Sequence, residues 1–138
     1  MKVVIDTNVI VSALMNVNGA PAKIVSLTLN GTIKPLYDNR IIFEYFEVLS
    51  RKEFGFTEEM INDLIDYFKH EGEFINADPL RVKFSDETDK KFYEVYKSGK
   101  AQYLITGNRK HFPKENAIIA PKEFINLMSD RSRRLGTF

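Results

Sequence analysis

The chain has 138 residues, enough for one domain and too few for two ordinary ones. Its 43% hydrophobic and 28% charged residues fit a globular protein that can build a real core. A net charge of +1 does not announce a nucleic-acid binder, although a local basic patch stays open, and the lack of cysteine excludes disulfides and thiolate metal sites.

Two histidines, His70 and His111, offer little to zinc. The first residues read as a strand, not as a basic segment followed by a long apolar run. Neither a signal peptide nor a membrane span is expected, and the cytoplasm is the expected compartment.

In chain order, "VVI" is a short strand of β-branched residues, and "DTN" after it reads as a turn. In "VNGAPAKIVSLTLNG", Pro21 suits a first helical turn. Ile24, Val25 and Leu29 make the stripe, and Gly31 ends it. "TIKPLY" is a second strand, placed at a sheet edge by Pro35. "DNRIIFEYFEVLSRKE" is a helix with Asp38 as its N-cap and a face of Ile41, Ile42, Tyr45, Val48 and Leu49. "FGF" interrupts, and "TEEMINDLIDYFKHEG" forms another helix with acids in its first turn.

"EFINA" is a third strand and "DPLRVKF" a loop. "SDETDKKFYEVYKSG" is a helix with Phe92, Val95 and Tyr96 on one face, stopped by Gly99. "QYLIT" and "AIIA" are the fourth and fifth strands, and Pro121 opens a last helix, "PKEFINLM". Residues 1–129 form the domain, and 130–138 are read as a loose basic tail. Strands alternating with helices predict an α/β domain with a mainly parallel sheet of about five strands. Such sheets bind ligands beyond the carboxyl ends of their strands, where strand order switches. Asp6 and Asn108 both follow an apolar strand and are expected there.

Asp6 poses the functional question, because a charge ending a buried strand is costly unless something pairs with it. Glu44 lies on the "NRIIFEYFEVL" helix, with Glu47 as its competitor. Asp86 and Asp89 open the "SDETDKKFYEV" helix. Carboxylates aimed at one crevice need protons or metal ions, and oxygen ligands without Cys or His suit Mg²⁺ or Mn²⁺. Such ions can activate water against a phosphodiester. Each residue also has a plain structural reading: Asp6 as an acceptor for the next turn, Glu44 as a solvated surface acid, Asp86 and Asp89 as N-cap and first-turn acid, Asn108 as a turn residue.

The segments "VVIDTNVIVSAL", "IIFEYFEVL", "DETDKKFYEVYKSGKAQYLITGN" and "IIAPKEFINL" together resemble a PIN domain over roughly residues 2 to 128. The chain is most similar there to toxin components of bacterial and archaeal toxin–antitoxin systems, related to the VapC toxins. The resemblance implies a three-layer α/β/α fold and a Mg²⁺- or Mn²⁺-dependent endoribonuclease that leaves 5′-phosphate and 3′-hydroxyl ends. It implies Asp6, Glu44 and Asp89 as the catalytic, metal-holding acids, with Asn8, Asp86, Thr106 and Asn108 in support. Asn108 departs from the family, where an aspartate usually follows "TG". Thr7 and Thr106 have hydroxyls to lend to the site, and Arg109 and Lys110 are candidates to meet RNA phosphates beside His111. The implied partners are RNA and an antitoxin protein, with homodimerisation open and no membrane. Surplus aromatics among Phe43, Phe46, Phe54, Phe56, Tyr67 and Phe68 are candidates for a partner face.

Two other classes compete. A catalytically degenerate PIN domain would bind RNA or protein without cleaving, and Asn108 keeps that reading alive. A haloacid-dehalogenase-like phosphatase would place a second aspartate two residues after Asp6, but Asn8 stands there.

Overall fold

The computed structural model describes residues 1–135. Five strands form one all-parallel sheet: β1 (Lys2–Ile5), β2 (Lys34–Tyr37), β3 (Glu73–Phe74), β4 (Tyr103–Ile105) and β5 (Ile118–Ile119). Their order is β3-β2-β1-β4-β5, the centre of a three-layer α/β/α domain. Val3, Val4 and Ile5 are consecutive and all fully buried, so both faces of the central strand are covered. The chain fills one side of β1 with β2 and β3, then returns to fill the other with β4 and β5. The switch point therefore lies between the carboxyl ends of β1 and β4.

Six helices cover the sheet: α1 (Thr7–Met15), α2 (Ala20–Leu29), α3 (Asn39–Leu49), α4 (Glu58–Glu71), α5 (Lys90–Ser98) and α6 (Pro121–Leu135). Asp38 caps α3 by accepting from the Ile41 amide at 3.0 Å, and Thr57 caps α4 by accepting from the Met60 amide at 3.2 Å. Helix α5 packs on β1, β2 and β4, while α2 packs on α1, α4 and α6. No single helix among the described residues is long and apolar enough to cross a membrane.

The structure corrects four expectations. "DTN" is no turn: Asp6 is the N-cap of α1, whose Val9, Ile10 and Ala13 face the core at helical spacing. The stripe of α2 closes on Thr28, fully buried, while Leu29 is 41% exposed, because position 28 lies one turn from Ile24. Strand β2 is internal, not an edge. Its Lys34 amide bonds Met1 of the β1 chain, so Pro35 faces the other side, where β3 begins only opposite Leu36. The missing N–H of Pro35 thus falls beyond the ladder. Helix α6 runs on through residues 130–135, where the polar, basic sequence predicts a loose tail; the rest of that tail, 136–138, lies outside the described residues.

The turn from α4 into β3 depends on Gly72. A Cβ there would meet the Pro35 carbonyl oxygen at 2.3 Å, so no larger residue lets the helix end sit this close to β2.

Candidate active site

Asp6 leaves β1 with its amide bonded to the Ile105 carbonyl of β4 at 3.0 Å. That bond continues the ladder and turns the carboxyl into the gap between the two strands. The residue is only 4% exposed. Its Oδ2 accepts the Thr106 hydroxyl at 2.7 Å and the Asn8 side-chain amide at 3.1 Å. Asn8 Oδ1 in turn accepts the Gly107 amide at 3.1 Å, and Thr106 Oγ1 accepts the Asn108 amide at 2.9 Å. The two strand ends are thereby tied together around one acid.

The Asp6 side chain makes no capping bond to the helix that it starts. Its side-chain partners are neutral, and burial pushes its carboxyl up to about 6; the Thr106 hydroxyl opposes that rise, while the charges of Asp89 and Glu44 add to it.

Helix α3 brings Glu44 to the same crevice. Its Oε2 accepts the Thr7 hydroxyl, and its Oε1 accepts the Lys91 ammonium at 2.7 Å. Lys91 also donates to the Thr88 carbonyl. Asp89 ends a short 3₁₀ turn, Glu87–Asp89, that leads into α5. Burial raises its carboxyl, the neighbouring Asp86 raises it further, and His111 opposes, with its Nδ1 3.2 Å from Asp89 Oδ2. Asp86 itself is exposed and bonds the Thr88 amide at 2.9 Å and the Thr88 hydroxyl at 2.6 Å, which hold it below the usual carboxylate range.

A cleft of about 370 Å³ opens over Asp6, Thr7, Asn8, Glu44 and Phe54. A neighbouring cleft of about 570 Å³ is bounded by Glu44, Glu47, Lys91, Thr88 and the exposed Phe43.

The charges of Glu44 and Asp89 thus both reach Asp6. Yet no group of three or more Asp, Glu or His among the described residues stands close enough together to hold a metal ion. Glu44 is engaged by Thr7 and Lys91, and Asp89 by His111. Asn108 is exposed and contributes its backbone amide, not its side chain, to the network. Arg109 is tied to Glu123 of α6 at 2.8 Å, and Lys110 is exposed. Glu47 is exposed on the rim.

The family model described as PIN domain matches residues 2–110. The chain belongs to the PIN-domain family. PIN domains are typically nuclease folds. The chain is also 38% identical over 113 residues to the uncharacterized protein MJ1680 of Methanocaldococcus jannaschii, covering 79% of this chain and 72% of that one.

Two residues that support this PIN domain's crevice, Lys91 at its rim and Tyr45 in the core beneath it, were not read from the sequence. Lys91 sits two positions after Asp89, but its partner is 47 residues away, so no local spacing announces the pair. Tyr45 is buried in the α3 stripe and donates its hydroxyl to the Ile5 carbonyl just before Asp6. A tyrosine inside an apolar stripe was the available signal, since a buried hydroxyl needs an acceptor.

The donor chemistry fits a hard divalent cation. The Asp6 and Glu44 carboxylates line one cleft with the oxygens of Thr7 and Asn8, a set of hard donors of the kind that takes Mg²⁺ through one or two carboxylates, and among the described residues Asp6 has no positive side-chain partner of its own.

Proposed function

We propose that this PIN domain is a Mg²⁺- or Mn²⁺-dependent endoribonuclease and the toxin of a toxin–antitoxin pair. One observation carries the reading: Asp6 is buried at the switch point with neutral partners and with two further acids near enough to raise its affinity for a proton. Uncompensated negative charge in a cleft at a strand end is what a cation-dependent site needs. Asp6, Glu44 and Asp89 would hold the ion, which when bound supplies activation of water and charge stabilisation at the leaving oxygen.

The protein's own groups have separate tasks. Thr106 and Asn8 fix the direction of the Asp6 carboxylate, and Thr7 fixes that of Glu44. The Asn8–Gly107 bond holds the two strand ends at constant separation. Lys110 is exposed in the 3₁₀ turn that follows β4, which supports a role for it in meeting an RNA phosphate. Phe43, Phe46 and Tyr67 expose apolar surface on α3 and α4, which supports a protein partner such as an antitoxin or a second copy. The cytoplasm is the compartment that this role implies.

A second reading, a PIN domain that binds RNA or protein without cleaving, is favoured by the engagement of Glu44 with Lys91 together with the absence of a carboxylate at Asn108. Cleavage of single-stranded RNA across a Mn²⁺ series separates the two. Wild-type protein should cleave, and Asp6→Asn should lose at least about a hundredfold in rate, as expected when a charge-stabilising group is removed. Asn108→Asp should increase cleavage at limiting metal. No cleavage by either the wild type or Asn108→Asp at saturating metal, on RNAs of varied sequence, favours the binding module.

A further inference from the structure

Lys91 has a built seat. Its side chain is only 12% exposed, and its ammonium lies 2.7 Å from Glu44 Oε1, against the Thr88 carbonyl, and 5.1 Å from the centre of the Phe92 ring. Phe92 is fully buried, and the Thr88 carbonyl belongs to the 3₁₀ turn that carries Asp89. The cation is thus seated by the same turn that presents one acid and points at the oxygen of another.

The pair does more than brace α3 against α5. Arg40 of α3 already bonds Glu94 of α5 at 2.8 Å and joins the same two helices. The Lys91–Glu44 pair adds something different: it puts a positive charge on a carboxylate that faces the acidic crevice. Two cations on one carboxylate oxygen repel each other, and most strongly where water is scarce.

We propose that Lys91 is the resident counter-cation of the crevice, occupying Glu44 Oε1 in the metal-free protein and yielding that oxygen when a divalent ion enters, so that Lys91 sets the metal affinity. This rests on the metal-dependent reading of the site. The four-carbon stem of a lysine lets the ammonium swing away without moving the helix. In the absence of metal the pair keeps Glu44 from adding its full charge to that of Asp6 and Asp89. The device trades metal affinity for stability of the empty site.

The test is calorimetric titration of Mn²⁺ into protein stripped with EDTA. Lys91→Met should bind Mn²⁺ about tenfold more tightly than wild type, because the competing charge is gone. Lys91→Arg, which keeps the charge, should stay near wild type. Metal-free Lys91→Met should melt below wild type, and Mn²⁺ should restore more of its melting temperature than it adds to wild type. Unchanged or weaker Mn²⁺ binding by Lys91→Met overturns the proposal and leaves the metal reading standing if wild type binds. Binding by neither protein overturns both. If Lys91→Met does not fold, the wild type answers by nuclear magnetic resonance. The Lys91 ammonium resonance seen in EDTA should shift or vanish with Mg²⁺, and its persistence at saturating Mg²⁺ overturns displacement.

Discussion

Asp6 links the chemistry of the crevice to the pH dependence of folding. Its carboxyl sits at about 6 in the folded protein against 3.8 ordinarily. Between those values the folded chain keeps a proton that the unfolded chain has released. Its contribution to stability is therefore full below 3.8 and lost as pH rises through about 6. The loss is on the order of 3 kcal/mol. Asparagine at this position keeps an acceptor for Thr106 and Asn8 and cannot ionise. In EDTA, Asp6→Asn should be about 1–3 kcal/mol more stable than wild type at pH 7.5, and the advantage should vanish near pH 4. Urea unfolding at the two pH values measures this, and an equal gap at both would show that the Asp6 charge is not the cause. Asp6, Asn8 and Thr106 were legible because each stands at or just after a readable strand end. Glu44 and Glu47 are three residues apart on one helix, so periodicity alone does not choose between them. The fold separates them by turning Glu44 toward Thr7 and Lys91 and leaving Glu47 exposed.

At the scale of elements, the long stretch 75–86 between β3 and the 3₁₀ turn has no regular structure of its own, yet α5 holds it at three places. The Asp78 amide bonds Ser98 at 2.9 Å, the Leu80 amide bonds Glu94 at 2.8 Å, and Phe84 packs on Tyr93 with ring centres 5.7 Å apart. Burial works against the Glu94 charge, but Arg40 and the Leu80 amide hold its carboxyl below the usual range. Glu94→Ala should cost about 2–4 kcal/mol, because Arg40 loses one of its two acids and the Leu80 amide loses its acceptor. Limited proteolysis should then cut within 75–86 sooner than in wild type; unchanged cutting would mean that the other two attachments suffice. The strand–helix alternation was legible, as were the Asp38 cap and the α5 face. Helix α1 was not: Val9, Ile10 and Val11 are β-branched and favour strands, and packing against α2 and α3 overrides that preference. The place of Pro35 was misread because the reach of β3, two residues long, is set by the partner and not by β2.

For the whole molecule, the core is one cluster that takes residues from β1 through α6. Phe92 lies within it, fully buried, with Tyr45 beside it at 6.5 Å between ring centres. Phe92→Ala should lower stability by about 3–5 kcal/mol. The circular dichroism and tyrosine-fluorescence unfolding curves of the variant should still coincide, as one cooperative unit requires. Separate transitions would divide the chain into independently unfolding parts. The fold class was readable from alternation alone, whereas the seating of Lys91 required helices distant in sequence to be placed together.

The two outer strands, β3 and β5, are only two residues long each. A neighbouring molecule that tries to extend the sheet therefore finds almost no free row of backbone donors and acceptors on either flank. The folded chain is a poor template for strand addition even at high concentration. Polymerisation through β-pairing must instead begin with opening of the core, which ties resistance to amyloid-like growth to global stability and not to surface charge.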